Sequence, residues 1–156
     1  MQIVKSILEM SDSEIITLAC DPMASHIINA YFESETVGQK SRDKLVYKFK
    51  GSYVVLACSK FGSRSLETMW NVSNNNIRST ICSELVSSEN KLQSDYFGKI
   101  IFNKFHVRLF KISNGSSNWQ NALNNIDKKR KLLSDLIKDD DESTSVKKKK
   151  HKSCDE

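Results

Sequence analysis

The sequence predicts an all-α fold: an α-α superhelix of about three stacked helical repeats followed by a C-terminal helix. Three observations lead there. A fifteen-residue pattern running from Leu18 to Phe32 aligns without a gap on Leu56 to Trp70, 38 residues later, and a third copy, Leu92 to His106, follows after a further 36. Periods of this size mark solenoids, whose units bury their apolar faces only by stacking on one another. The 156 residues include one Pro and five Gly, which suits helices joined by short turns and disfavours a sheet-rich chain. Between the turns, apolar residues recur at steps of three and four, the helical period.

Taken in order, Ile3, Ile7 and Leu8 make Gln2 to Met10 read as the tail of a helix, as though the chain began inside an array. The first unit, about 13–50, opens with a helix to Cys20, capped by Ser11 or Ser13 and carrying Glu14 where the helix dipole favours a negative charge. Asp21-Pro22 breaks it, because proline disfavours helix in the residue before it. A second helix from Met23 to Glu33 follows, then a third from Gly38 to Phe49 with Leu45, Val46 and Phe49 inward. The second unit, about 52–89, repeats the plan as Tyr53 to Ser59, Gly62 to Val72 and Ile77 to Val86, with Asn74-Asn75-Asn76 as a turn. In the third unit, about 91–112, one long apolar helix is expected from Phe97 through Phe110. These units make up a repeat domain over 1–112. Residues 116–137 read as a capping helix with Trp119, Leu123, Ile126, Leu133 and Ile137 in a stripe. Residues 138–156 read as a disordered lysine-rich tail with little to bury.

The formal charge is +5 at a pI near 9.0. Lys138 to Glu156 holds six lysines and six acids, which cancel, so the basic excess belongs to the repeats. An anionic partner such as a nucleic acid fits that distribution. The cluster Lys147 to Lys152 after an acidic run reads as a nuclear targeting signal, a nonspecific nucleic-acid tail or a plain solubilising one. Cys20, Cys58, Cys82 and Cys154 form no closely spaced metal-ligand pair, and Cys20 and Cys58, at equivalent repeat positions, read as core thiols. No stretch is long and apolar enough to cross a membrane, and neither a signal peptide nor a membrane partner is expected. No cofactor is expected. An enzyme is disfavoured: His26, His106 and His151 are scattered, and no phosphate-cradling loop or nucleophile with its base stands at a recognisable spacing.

The candidate site sits where the second helices begin. Ser63 and Glu67, at i and i+4, share a helical face, and Arg64 stands beside them. A guanidinium plane can stack on a nucleobase while a carboxylate and a hydroxyl bond to its edge. On the motif alone, a cap and two solvated charges is the commoner reading. Repetition favours the functional one: Ser25, His26 and Asn29 fall on Ser63, Arg64 and Glu67, and Lys99 and Asn103 occupy the same register in the third copy.

With that period, a glycine before the second helix, and a small or polar, planar, then Asn or Glu triplet, the chain resembles the Pumilio repeat family. It looks most like the C-terminal end of the family's nucleolar ribosome-assembly members, over about Ile15 to Ile137. The resemblance implies a superhelix whose concave wall, lined by second helices, binds single-stranded RNA. It implies that Ser63 and Glu67 address a base, in the family most often guanine, with Arg64 stacking. Ser25 and Asn29 would do likewise with His26 stacking, at a base left open because Ser with Asn is not a clear code pair. The third site departs from the pattern: Ile100 replaces the planar residue beside Lys99 and Asn103, and a phosphate contact alone is the alternative for Lys99. Ala24 stands where the other copies have Gly62 and Gly98. The resemblance further implies the nucleus and nucleolus, maturation of the small ribosomal subunit (18S rRNA) through precursor rRNA, association with pre-ribosomal particles, and a monomer. Family members carry more repeats, so a fragment, or a chain working alongside another component, is expected. The competing class is an armadillo- or HEAT-like protein-interaction scaffold that binds no RNA.

Overall fold

The computed structural model describes residues 2–114 and 117–149, and every regular element among them is helical. In order these are α1 (Gln2–Glu9), α2 (Asp12–Cys20), α3 (Ser25–Glu33), α4 (Gln39–Lys48), α5 (Tyr53–Ala57) and α6 (Lys60–Val72). They continue as α7 (Asn75–Ser87), α8 (Glu89–Ser94), α9 (Tyr96–Lys104), α10 (Val107–Ile112) and α11 (Ser117–Lys149). The chain divides into two compact units, the first holding α1 to α10 and the second α11.

The repeat is visible in how the helices are stopped and started. Ser11 caps α2: its hydroxyl oxygen accepts from the Glu14 N–H, while the Glu14 carboxylate accepts from the Ser11 N–H at 2.9 Å, a reciprocal capping box. The turn leading into each second helix holds an acceptor that plays one role three times, at the N-cap of α6 and α9 and four residues ahead of α3. The Asp21 carboxylate accepts from the Met23 and Ala24 N–H groups, the Ser59 hydroxyl oxygen from Gly62, and the Asp95 carboxylate from Gly98. Asp21, Ser59 and Asp95 are separated by the same 38 and 36 residues as the repeat itself. Orphan amide donors at a helix start need such an acceptor, which is why only Asp and Ser fill the position. Asn74 does the same for α7 through the Ile77 N–H. The short α5 lacks a cap of its own; the Glu84 carboxylate on α7 supplies one by accepting from the Gly51 and Tyr53 N–H groups at 2.7 and 2.8 Å. Gly51 turns the chain at φ 89°, a left-handed conformation that glycine adopts without strain.

The core is the inward stripe of these helices. Ile15, Ile28, Phe32, Leu45, Phe49, Leu56, Leu66, Met69, Ile81, Leu85 and Ile101 are all fully covered. The Tyr53 hydroxyl is buried and donates to the Val46 carbonyl at 2.9 Å; burial pushes its pKa well up, as Glu84 and Tyr47 also do. Second helices sit side by side: α3 packs on α6 and α6 on α9. Trp70 of α6 stacks flat on Phe105, with centroids 4.1 Å apart and planes 10° from parallel, while the Arg78 guanidinium lies 5.2 Å from the Trp70 ring centre.

Three expectations change. The long helix through Phe110 is two helices, because Phe105 ends α9 and His106 takes a left-handed φ of 53° before α10 begins. The apolar run continues across the break, since Phe105 and Val107 are both buried, and this is what made it read as one helix. Cys20 and Cys58 are half-buried rather than core thiols, whereas Cys82 is fully covered and its pKa is driven far up by that burial. The second unit runs past Ile137 to Lys149, so the backbone of 138–149, expected to be disordered, is helical. No Pro or Gly interrupts it. Residues 150–156 of the expected tail lie outside the described residues. In α11, Leu132, Leu133 and Leu136 are exposed, as are Lys128 to Lys131.

Candidate nucleic-acid interface

The first turn of each second helix is set against the backbone of the helix before it. A Cβ on Gly62 would meet the Leu56 carbonyl oxygen at 2.8 Å, and one on Gly98 would meet that of Leu92 at the same distance. Only a residue without a side chain lets the two helices approach this closely. Leu56 and Leu92 occupy the same repeat position, so the contact recurs and fixes how α6 and α9 leave their partners. In the first unit, where Ala24 replaces glycine, the four residues Asp21 to Ala24 separate α2 from α3.

That geometry positions the expected residues unequally. Arg64 and His26, at the same register, are exposed, as the stacking role requires. Glu67 is half-buried on α6, and one of its oxygens accepts a hydrogen bond from the Lys104 ammonium on α9 at 2.7 Å. Asn29 is half-buried on α3, and its Oδ1 is covered with no hydrogen-bond partner. Lys99, Asn103 and Ile100 are exposed on α9. Ser25 and Ser63 are not presented as the sequence reading expects: both are buried, at 3% and 7% exposure, and the Ser63 hydroxyl donates to the Lys60 carbonyl at 3.1 Å. A one-carbon side chain in a tightly packed first turn stays close to the backbone, so these serines are covered while Arg64 is exposed and Glu67 half-buried. The neighbouring Ser65 is fully buried, its hydroxyl 3.5 Å from the Ala19 carbonyl oxygen, which anchors α6 against the first unit.

Two features beside the candidate residues were not read from the sequence: the Lys104 contact to Glu67 and the repeated acceptor ahead of the second helices. Lys104 was missed because it follows the last expected site residue, Asn103. The repeated cap at Asp21, Ser59 and Asp95 was present in the alignment as three good capping residues in register, a usable signal. Among the described residues no group of three or more His, Cys, Asp and Glu side chains could hold a metal ion, and no helix is long and apolar enough to cross a membrane.

Known proteins agree with this architecture. The family model described as the NOP9-like PUF repeat domain matches residues 1–100. Nucleolar protein 9 of Mus musculus is 30% identical over 137 residues, and that of Homo sapiens 28% over the same length. In both cases the match covers 88% of this chain and 21% of the relative, so the chain spans about a fifth of the length of those proteins. Among solved structures, APUM23 with GGAUUUGACGG superposes with a TM-score of 0.69 at 22% identity, over 77% of this chain and 22% of that one. Adjacent second helices in one register, a glycine-tight first turn, and a family match over most of the repeat region place this chain in the family of NOP9-like PUF repeat domains.

Proposed function

We propose that the chain is an RNA-binding repeat segment that grips single-stranded RNA along α3, α6 and α9. The observation that carries this is the adjacency of those helices with Arg64 and His26 exposed at one register and Glu67 and Asn29 one turn further along. Arg64 stacks on a base, Glu67 accepts hydrogen bonds from the edge of guanine, and His26 with Asn29 holds a neighbouring base. Ser63 and Ser25 contribute small size and an oxygen lone pair below the base rather than an open hydroxyl. Lys99 meets phosphate, since Ile100 leaves its site without a planar stacker. The NOP9-like relatives, named for the nucleolus, and APUM23, whose structure carries a U-containing oligonucleotide, support the finer reading. The RNA is precursor ribosomal RNA, and the setting is maturation of the small subunit within nucleolar pre-ribosomal particles.

Fluorescence anisotropy with labelled single-stranded RNA tests the reading. Affinity should fall steeply with salt. Arg64→Ala should weaken binding by about 1 to 3 kcal/mol, the scale of one stacked base. Indifference to salt and to both Arg64→Ala and Glu67→Ala would instead leave a scaffold of stacked helices that binds no RNA.

A further inference from the structure

We propose that Lys104 is a positioning residue for base recognition: its ammonium on α9 holds the Glu67 carboxylate of α6 in the orientation that selects guanine. The inference rests on the RNA-binding reading above. The pair bridges two repeats, 37 residues apart, with the Lys104 Nζ donating to Glu67 Oε2 at 2.7 Å and both side chains partly open to solvent, at 47% and 29%.

The geometry leaves the carboxylate able to work. A carboxylate offers about four lone-pair sites on its two oxygens, and one ammonium hydrogen bond occupies one of them. Guanine presents two adjacent N–H donors, at N1 and N2, which need two of the remaining sites. A glutamate free to change rotamer must be ordered when the base arrives; one already held by a lysine loses less freedom on binding.

The other units support this pairing by contrast. Aligned by repeat, Lys104 corresponds to Thr68 in the second unit. Thr68 is turned away to its own helix, its hydroxyl donating to the Arg64 carbonyl at 3.1 Å. The base-edge residue one unit before Thr68 is Asn29, whose Oδ1 has no hydrogen-bond partner. The carboxylate is therefore matched with an ammonium in the next repeat and the neutral amide is not. A lysine whose sole task was to meet phosphate would point its ammonium at solvent, as the exposed Lys99 is free to do.

The test compares binding of the full chain to UUUGUUU and UUUAUUU by anisotropy, for wild type, Lys104→Met, Lys104→Arg and Glu67→Gln. Wild type prefers the guanine oligonucleotide. Lys104→Met should cut that preference by about threefold, the scale of an exposed ion pair, with little change for UUUAUUU. Lys104→Arg should retain it, and in the Glu67→Gln background Lys104→Met should have no further effect on the ratio. Equal weakening for both oligonucleotides would make Lys104 an ordinary phosphate contact and overturn the proposal. An unchanged ratio would overturn it as well. Absence of a guanine preference in the wild-type chain would instead remove the role given to Glu67, and this inference with it.

Discussion

Replacing Gly62 with alanine tests whether the first turn of α6 is as tight as its geometry requires. The added Cβ would lie 2.8 Å from the Leu56 carbonyl oxygen, 3.0 Å from the Leu56 Cα and 3.0 Å from the Ser59 Cβ. Ordinary contact begins near 3.4 Å, so α5 and α6 must part by about 0.6 Å at this point. Two of the three obstacles are main-chain atoms of Leu56, whose side chain is fully buried and cannot swing aside. Overpacking of this kind costs about 1 to 3 kcal/mol. Against it stands the helix-forming advantage of alanine over glycine, about 1 kcal/mol. The clash wins by about 1 kcal/mol at the middle of the range, which moves a urea midpoint followed by circular dichroism down by about 0.5 M. Gly98→Ala, facing the same 2.8 Å contact at Leu92, should lose a similar amount, and the double variant should show the two losses roughly added. A Gly62→Ala protein as stable as wild type, or more so, would refute the close-approach reasoning, because helix propensity would then be the only force acting on that residue.

Two further outcomes follow from the packing and the caps. Trp70→Ala removes a nearly covered ring stacked on Phe105 and should cost about 3 to 5 kcal/mol in the same urea unfolding, with Trp70→Phe losing much less; a loss under about 1 kcal/mol for the alanine variant would mean that this stack does not hold the second and third units together. Hydrogen bonds from the Ser11 hydroxyl and backbone N–H hold Glu14 below its ordinary 4.5, and those from the Ala24 and Met23 N–H groups hold Asp21 below 3.8. Both carboxylates are thus lowered on folding, so their stabilisation is complete above the unfolded values and is lost as pH falls through the folded ones. Thermal unfolding from about pH 6 to pH 3 should therefore show a smaller decline for the Glu14→Gln, Asp21→Asn double variant than for wild type, and parallel declines would count against these caps.

Much of the fold was legible because the repeat enforces itself at several positions at once. Leu18, Leu56 and Leu92 mark the first helices, Ser59 and Asp95 cap second ones while Asp21 accepts from the turn amides ahead of α3, and Gly62 and Gly98 set how closely the helices pack. Each is a local chemical requirement, so residue type alone reveals it. The break at His106 was not legible, because a left-handed residue that is not glycine has no compositional signature and the apolar pattern runs across it. Helix at 138–149 was missed for the opposite reason. A polar, charged stretch buries little, yet it contains no residue that stops a helix, and composition alone does not decide between those facts. The candidate site was legible in its register but not in its exposure. Whether a serine is covered or open depends on how closely the preceding helix approaches, which residue type alone does not show.

The unequal exposure of the triplets sharpens what the repeat can encode. Glycine at 62 brings the carbonyl of Leu56 against α6, and the next residue must follow the same descent, which buries Ser63. In the third unit the same glycine is followed by Lys99, whose long side chain escapes to solvent even though its backbone is held equally close. The position after the glycine therefore accepts a very small residue or a long flexible one, and has little room to distinguish bases by itself. Under the proposed RNA-binding reading, discrimination would fall to the residue one turn later, where side chains from adjacent repeats meet: Glu67 is joined there by Lys104, and Asn29 has an unpaired amide oxygen. Selectivity should accordingly be strongest at the nucleotide held by Glu67 and weaker at the one beside Asn29. On that reading the groove between successive second helices, more than any single helix, would be the element that reads the base.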